Sequence, residues 1–534
     1  MKPLLIFILF ALVGPAARAQ DFAFVPGFSG SESPDRLGGY KKAVAQKVFE
    51  TLLHARGDYR LQPPTLVLSK RMRNMAAYNP DQVEIILEEK AYDVCASFGK
   101  DSLNALAALL AHELTHYYEK HDWSRHFVRE NENLETARRL ENLEEGLKQE
   151  AQADCLGGFM AFSVGYNTYG IMPELLRKLY KTYELPDDLP GYPSLAERLK
   201  MVDGAMEQLK NLQIVFETAN LLTLLGQYAD AAGYYRHILQ TYQSREIFNN
   251  AGVNAVLAAL NYTEPTLIPY VLPLELDPKS RLLSVKNNDQ EKAQRKSNLL
   301  KTAMEHFERA LLLDENYGPA YLNKACVLVL NGDWEEAEYA LRKGRKKNAA
   351  ASDYDVLEGV AAALQKDSLA AVKHWERAQK QGNNWATVNL QILQKTPRPA
   401  PATAAPVKGI EEIEQFPLTD FLSSPVPDVE VKVADKVYCG FKQLSQSRLF
   451  IHYANLGKQY AVLQETLPNY TGKTLRGIAL NDPQEKITAA YGNSPRQIAL
   501  TDGSVWLYPG ANLYFKLTSG AKVSAWGVYR KSDL

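Results

Sequence analysis

The spacing of apolar residues divides the chain into three regions. Over roughly residues 21–203 the pattern is mixed. Residues 37–53 carry helical spacing, and Thr65-Leu66-Val67-Leu68 reads as a strand. Residues 82–87 and 91–96 are two further strand candidates. A helix is expected over 101–121, capped by Asp101 or Ser102 after Gly99, and another over 134–163. From about 208 to 393 the spacing is helical throughout. Beyond the Pro/Ala-rich stretch 397–406 the period falls to two, and strands are expected at 428–433, 449–453, 498–500, 504–508, 512–517 and 523–529. Asp502-Gly503, Pro509-Gly510 and Ser519-Gly520 supply turns between the later ones, and 483–491 reads as a short helix.

Within the helical region a repeat emerges. Ala303, Ala337 and Ala371 recur at one spacing, as do Phe307, Leu341 and Trp375, and Ala310, Gly344 and Ala378. The common spacing is the roughly 34-residue period of tetratricopeptide (TPR) repeats. Small residues at one position and bulky ones at the next allow paired helices to stack closely. Gly332-Asp333-Trp334-Glu335-Glu336-Ala337 has the form of a turn between such helices, and Gly226-Gln227-Tyr228-Ala229-Asp230-Ala231 resembles it four residues out of phase. Residues 261–297, with Pro265, Pro269, Pro273 and Pro278, interrupt the array.

Composition narrows the function classes. The 534 residues hold 61 Lys+Arg against 62 Asp+Glu, which argues against a globally basic nucleic-acid binder. Four cysteines in so long a chain exclude a scaffold built on disulfides. Cys95 and Cys155 fall in one expected domain, and their pairing or burial as thiols is left open. Lys2, the apolar run 4–13 and Ala17-Arg18-Ala19 form a secretory signal peptide. No later apolar run is long enough to span a bilayer. The expectation is an exported soluble chain, in a bacterial periplasm or outside the cell.

The chemistry concentrates in Ala111-His112-Glu113-Leu114-Thr115-His116, an H-E-x-x-H motif within the helix expected over 101–121. Positions i and i+4 share a helix face, so His112 and His116 can turn ring nitrogens toward one metal ion. One zinc per chain is expected there, polarising a peptide carbonyl and activating water, with Glu113 as general base. A catalytic zinc needs a third protein ligand. Glu150-Ala151-Gln152-Ala153-Asp154 on the next helix offers Glu150 as that ligand, and Asp154 as acceptor for the far nitrogen of a zinc histidine. Glu141, Glu144 and Glu145 nearby allow a solvated acidic face instead, but Leu156, Phe159, Met160 and Phe162 favour a buried helix.

These residues resemble a known family. His112-Glu113-x-x-His116 followed by His121, then Glu150-x-x-Ala153-Asp154 and Tyr192-Pro193-Ser194-x-x-x-Arg198-Leu199, are similar to the gluzincin metallopeptidases of the CAAX-prenyl-endopeptidase and HtpX type. Asn74-Met75-Ala76-Ala77-Tyr78 stands where that family has its substrate-binding edge strand. The resemblance covers roughly residues 40–205. With a signal peptide and a TPR tail, the domain order resembles periplasmic proteases of the BepA type. It implies a zinc metalloendopeptidase acting on protein substrates in envelope protein quality control, with envelope assembly proteins as partners of the TPR groove. One departure is Tyr192-Pro193, where the family has His-Pro. Tyr192 is a candidate oxyanion donor or ordinary packing, and Arg198 a candidate catalytic group or an ion-pair partner.

The expected fold class is multidomain: a signal peptide at 1–20, an α+β zincin domain at 21–207, an all-α TPR solenoid at 208–394, a linker at 395–415 and a small α+β domain at 416–534. The last is faintly similar to envelope domains of the SmpA/OmlA type, through Leu475 to Asp482 and Tyr491-Gly492-Asn493-Ser494-Pro495. A rival class is a TPR-based chaperone or assembly factor with latent or no proteolysis.

Overall fold

A computed structural model describes residues 34–72, 75–79, 81–120, 143–168, 170–185, 194–263, 267–274, 289–347, 351–396, 409–416, 418, 427–455, 459–492, 494, 496–500 and 503–532. The stretch expected to be a signal peptide and the Pro/Ala-rich stretch 397–406 lie outside these residues. The chain divides into two compact units, one ending at Gln213 and the other beginning at Ile214.

The first unit opens with helix α1 (Pro34–Arg56), which buries Val44, Ala45, Val48, Phe49 and Leu52. Strands β1 (Thr65–Ser69), β2 (Ala76–Asn79) and β3 (Glu84–Glu88) form a sheet of order β1-β3-β2. β1 runs parallel to β3 and β2 antiparallel, so β2 is an edge strand. Residues 91–96, expected as a strand, instead lie in helix α2 (Glu89–Ala96). Ala91, Tyr92, Val94 and Cys95 are the buried positions, a helical stripe whose partner is helix α3 (Ser102–Tyr118). So short an apolar run does not by its period distinguish a helix from a strand. α3 is apolar for three turns and buried from Ala105 to Leu110, while its C-terminal half carries the histidines. Helix α4 (Leu143–Ser163) crosses it, and α5 (Met172–Thr182) and α6 (Leu195–Leu224) follow.

The second unit begins within α6. Gly226, at φ 79°, makes the turn into α7 (Tyr228–Leu239). Then come α8 (Arg245–Leu260), α9 (Asp289–Leu313), α10 (Gly318–Asn331), α11 (Trp334–Lys346), α12 (Ala351–Leu364), α13 (Ser368–Lys380) and α14 (Asn384–Leu393). Gly332, at φ 85°, ends α10 where the sequence marked a turn. The 34-spaced residues all fall on α9, α11 and α13, and all are buried. Their packing explains the small-and-large pattern. Phe307 of α9 lies against Gly252 of α8, and Trp375 of α13 against Gly359 of α12, so closely that a methyl group on either glycine would collide with the ring.

After the helices come β4 (Val429–Ala434), β5 (Val437–Gln443), β6 (Ser447–Ala454), β7 (Gln459–Thr466), helix α15 (Gln484–Tyr491) and β8 (Arg496–Leu500), β9 (Gly503–Tyr508), β10 (Leu513–Thr518) and β11 (Val523–Lys531). All pairings in this eight-stranded sheet, of order β4-β5-β6-β7-β11-β10-β9-β8, are antiparallel. One face buries Leu449, Ile451, Val462, Phe515 and Trp526 with Ile487 and Tyr491 of α15. Ile413, within the stretch expected as a linker, is fully buried in this core.

The sheet is not a separate lobe. Thr218 Oγ1 of α6 is 3.1 Å from Cys439 Sγ, Tyr234 of α7 donates to the Tyr438 carbonyl at 2.9 Å, and Arg448 reaches Glu217 at 3.0 Å. Strands β5 and β7 are absent from the sequence reading. The last six residues of β7 are all buried, and such a strand shows no alternation to read. Its buried Glu465 is matched by Arg448 at 2.8 Å and Lys516 at 2.5 Å. Among the described residues no helix is long and apolar enough to cross a membrane.

Candidate metal centre

The last two turns of α3 bring His112 and His116 one above the other. Their Nε2 atoms stand 3.0 Å apart and both residues are buried. α4 delivers the rest from one of its own faces, since Glu150, Asp154 and Gly157 are four and three residues apart. Glu150 Oε2 is 3.4 Å from His112 Nε2, and Glu150 Oε1 is 3.5 Å from His116 Nε2. Two imidazoles and a carboxylate thus turn donor atoms to a common point, an arrangement able to hold a metal ion.

Asp154 stands behind this point. Its Oδ1 is 2.8 Å from His112 Nδ1. With a metal ion in place of the Nε2 proton, a proton kept on Nδ1 would leave the Nε2 lone pair for the ion, the tautomer a metal ligand requires. Arg198 of α6, also buried, donates to Asp154 Oδ1 at 3.1 Å and lies 3.3 Å from Glu150 Oε2. The guanidinium therefore compensates two buried carboxylates at once. Burial opposes a charged His112, yet Asp154 and then Glu150 outweigh it and raise its pKa to about 10. Burial likewise opposes an ionised Glu150, but His112, Arg198 and His116 hold its carboxyl well below the usual range. All these shifts describe a site whose anionic and cationic groups are mutually paired.

The remaining sequence candidates fall as follows. Glu113 is half-buried on the same turn as His112. Arg198 contacts the carboxylates, which makes it a positioning residue. Tyr192, His121 and Asn74 lie outside the described residues; Ala76, Ala77 and Tyr78 form most of β2, which packs beside α3. Cys95 and Cys155 are free thiols, and burial pushes each up to about 12, which removes them from nucleophilic chemistry near neutral pH.

Sequence reasoning missed Gly157. A Cβ there would meet the Ala111 carbonyl carbon and oxygen at 2.8 Å and His112 N at 2.9 Å. Only glycine lets the α4 backbone come close enough to α3 for Glu150 and Asp154 to reach the histidines. The available signal was its position, seven residues after Glu150 and three after Asp154 on one helical face.

A second group with ligand-type side chains, Asp355, Glu358 and His374, lies between α12 and α13. There Arg345 sits 2.8 Å and Arg377 3.2 Å from Glu358 Oε2, and both also pair with Asp355. The two guanidiniums already neutralise the carboxylates, so this group is an ion-pair network between helices. Neither a scan against protein-family models nor a search of curated proteins finds a match to this chain.

Proposed function

We propose that the chain is an exported zinc-dependent metalloendopeptidase of zincin fold, whose TPR-type repeats choose the proteins that reach it. The observation that carries this reading is the convergence of His112, His116 and Glu150 on one point with Asp154 hydrogen-bonded behind His112. Ligands at about 2.0–2.1 Å from a tetrahedral zinc lie roughly 3.3–3.4 Å from one another, close to the 3.0, 3.4 and 3.5 Å separations here. His112, His116 and Glu150 would hold the ion. When bound, zinc supplies a Lewis acid that polarises a scissile carbonyl and lowers the pKa of water.

The other groups are this chain's own. Glu113, on the turn of the first histidine, takes the proton of the attacking water and returns it to the leaving amine. Asp154 holds the His112 ring and its tautomer, and Arg198 holds Asp154 and Glu150. An extended substrate pairs with the outer edge of β2, beside α3. Tyr192 is the proposed oxyanion donor. The signal-peptide pattern of Lys2, the apolar run 4–13 and Ala17-Arg18-Ala19 supports action in a periplasm or outside the cell.

The deciding measurement is zinc per chain on the purified mature protein, beside His116→Ala and Glu150→Ala. One zinc per chain, lost in both variants, is expected. No zinc after reconstitution defeats the peptidase reading and leaves the repeats, as a chaperone or assembly module, carrying the function. A Glu113→Gln chain that keeps the full role in cells, despite losing peptidase activity, points to that same module.

A further inference from the structure

Helix α8 is buried at every one of its positions, Asn249, Asn250 and Asn254 included. That is unusual for its place in the fold. Helices α8, α10, α12 and α14, the first of each successive pair, touch one another in order and form a row. In a stacked array the face of such a row is the surface open to ligands. At the α14 end of this row the chain itself occupies that face. The insertion after α8 contains Ile268–Leu274, in which Ile268, Val271, Leu272, Pro273 and Leu274 are buried without belonging to any helix or strand.

The hold on this segment is made through its main chain. Asn389 of α14, fully buried, accepts the Val271 N–H on Oδ1 at 2.7 Å and donates from Nδ2 to the Val271 carbonyl at 2.9 Å. One carboxamide thus satisfies both backbone groups of one residue, a contact that reads an extended chain and not its side chains. Next to it the Tyr270 ring lies 5.2 Å from that of Trp375. Pro269 and Pro273 remove two donors and favour an extended backbone, so few other main-chain groups need partners. The eleven residues from Leu260 to Val271 reach about 36 Å when extended, enough for three helix spacings of about 10 Å from α8 to α14. On the same row, Asn249 Nδ2 and Asn254 Oδ1 are buried with no partner among the described residues.

We propose that Ile268–Leu274 is an intramolecular occupant of a groove built for an extended, proline-punctuated aliphatic segment, and that a segment of that chemistry from another protein enters by displacing it. The groove is therefore closed at rest, and the tethered segment sets the threshold for partner binding. The inference concerns recognition by the repeats and does not depend on the peptidase reading.

The test uses the full mature chain carrying Glu113→Gln, so that capture is read without cleavage. The probe is a fluorescein-labelled peptide of residues 267–274, followed by fluorescence anisotropy. In one variant Tyr270→Ser, Val271→Ser and Leu272→Ser together release the internal segment. This variant should capture the peptide at least tenfold more tightly than the parent, and adding Asn389→Ala should remove at least tenfold of that affinity. Equal capture by parent and released variant overturns the proposal, as does capture indifferent to Asn389→Ala. Thermal melting supplies the remaining outcome: loss of cooperative unfolding in the released variant would make the segment part of the core, and the proposal fails.

Discussion

Asp154 Oδ1 lies 2.8 Å from His112 Nδ1 and accepts a second hydrogen bond, at 3.1 Å, from Arg198. One carboxylate oxygen therefore serves an imidazole on α3 and a guanidinium on α6. The arrangement fixes the ring so that its other nitrogen faces Glu150 and His116. It also keeps a fully buried charge compensated before any ion arrives.

Removing that charge should loosen the metal without removing a ligand. Asp154→Asn is expected to weaken zinc affinity by about 10–100-fold, measured by chelator competition. Unchanged affinity would show that the Nδ1 contact does not support the ligand.

Glu113 contributes no ligand atom to the cluster, so its loss should separate binding from chemistry. Glu113→Gln is expected to keep its zinc and to lose about 10²–10⁴-fold in peptidase rate on an unfolded protein substrate. A parallel fall in zinc content would assign Glu113 a structural part instead.

Gly157 and Gly158 make a controlled pair. Gly157→Ala drives a methyl group into the backbone of Ala111 and His112, which cannot yield without parting the helices. Gly158→Ala meets the Leu209 Cδ2 atom at 2.6 Å, the end of a flexible side chain. The first should cost about 1–3 kcal/mol of stability and at least tenfold in zinc affinity. The second should leave zinc affinity near that of the parent. Chemical denaturation and metal titration on both variants check this, and equal zinc affinity in the two would refute the close-approach role.

Burial pushes the Asp353 carboxyl up to about 7 from its ordinary value of 3.8, against the hydrogen bond from Asn383. Between those values the folded chain keeps a proton that the unfolded chain has lost, so this group's stabilisation falls as pH rises from about 4 to 7. Above pH 7 the full penalty stands. Asp353→Asn keeps the acceptor for Asn383 and removes the ionisation. It should raise stability by about 1–3 kcal/mol at pH 8 and change little at pH 4, in paired thermal melts. An equal effect at both pH values would place the cause elsewhere.

Much of this architecture was legible along the chain. The helix bearing His112 and His116 is announced by apolar residues at helical spacing, and the i, i+4 relation follows from helix geometry alone. The recurrence at Phe307, Leu341 and Trp375 marks helices because each repeat must bury its bulky residue against the next element. Alternation revealed the later strands of the sheet, whose side chains divide between a buried and a more open face. The 91–96 segment and strands β5 and β7 were misread or missed where burial on neighbouring elements, not local pattern, decides the outcome.

What the sequence determined by itself is local: where helices and strands form, where they turn, and that two histidines and a glutamate share one helical segment. Only the tertiary structure decided that Glu150 completes the cluster, that Gly157 allows it to approach, and that Arg198 is spent on holding carboxylates. It also decided that the sheet packs on α6 and α7, and that Val271 lies in the grip of Asn389 across 118 residues of chain. The physical reason is the range of the forces involved. Backbone periodicity and turn chemistry act over a few residues. Close approach, charge compensation and main-chain pairing between distant segments exist only once the elements have packed.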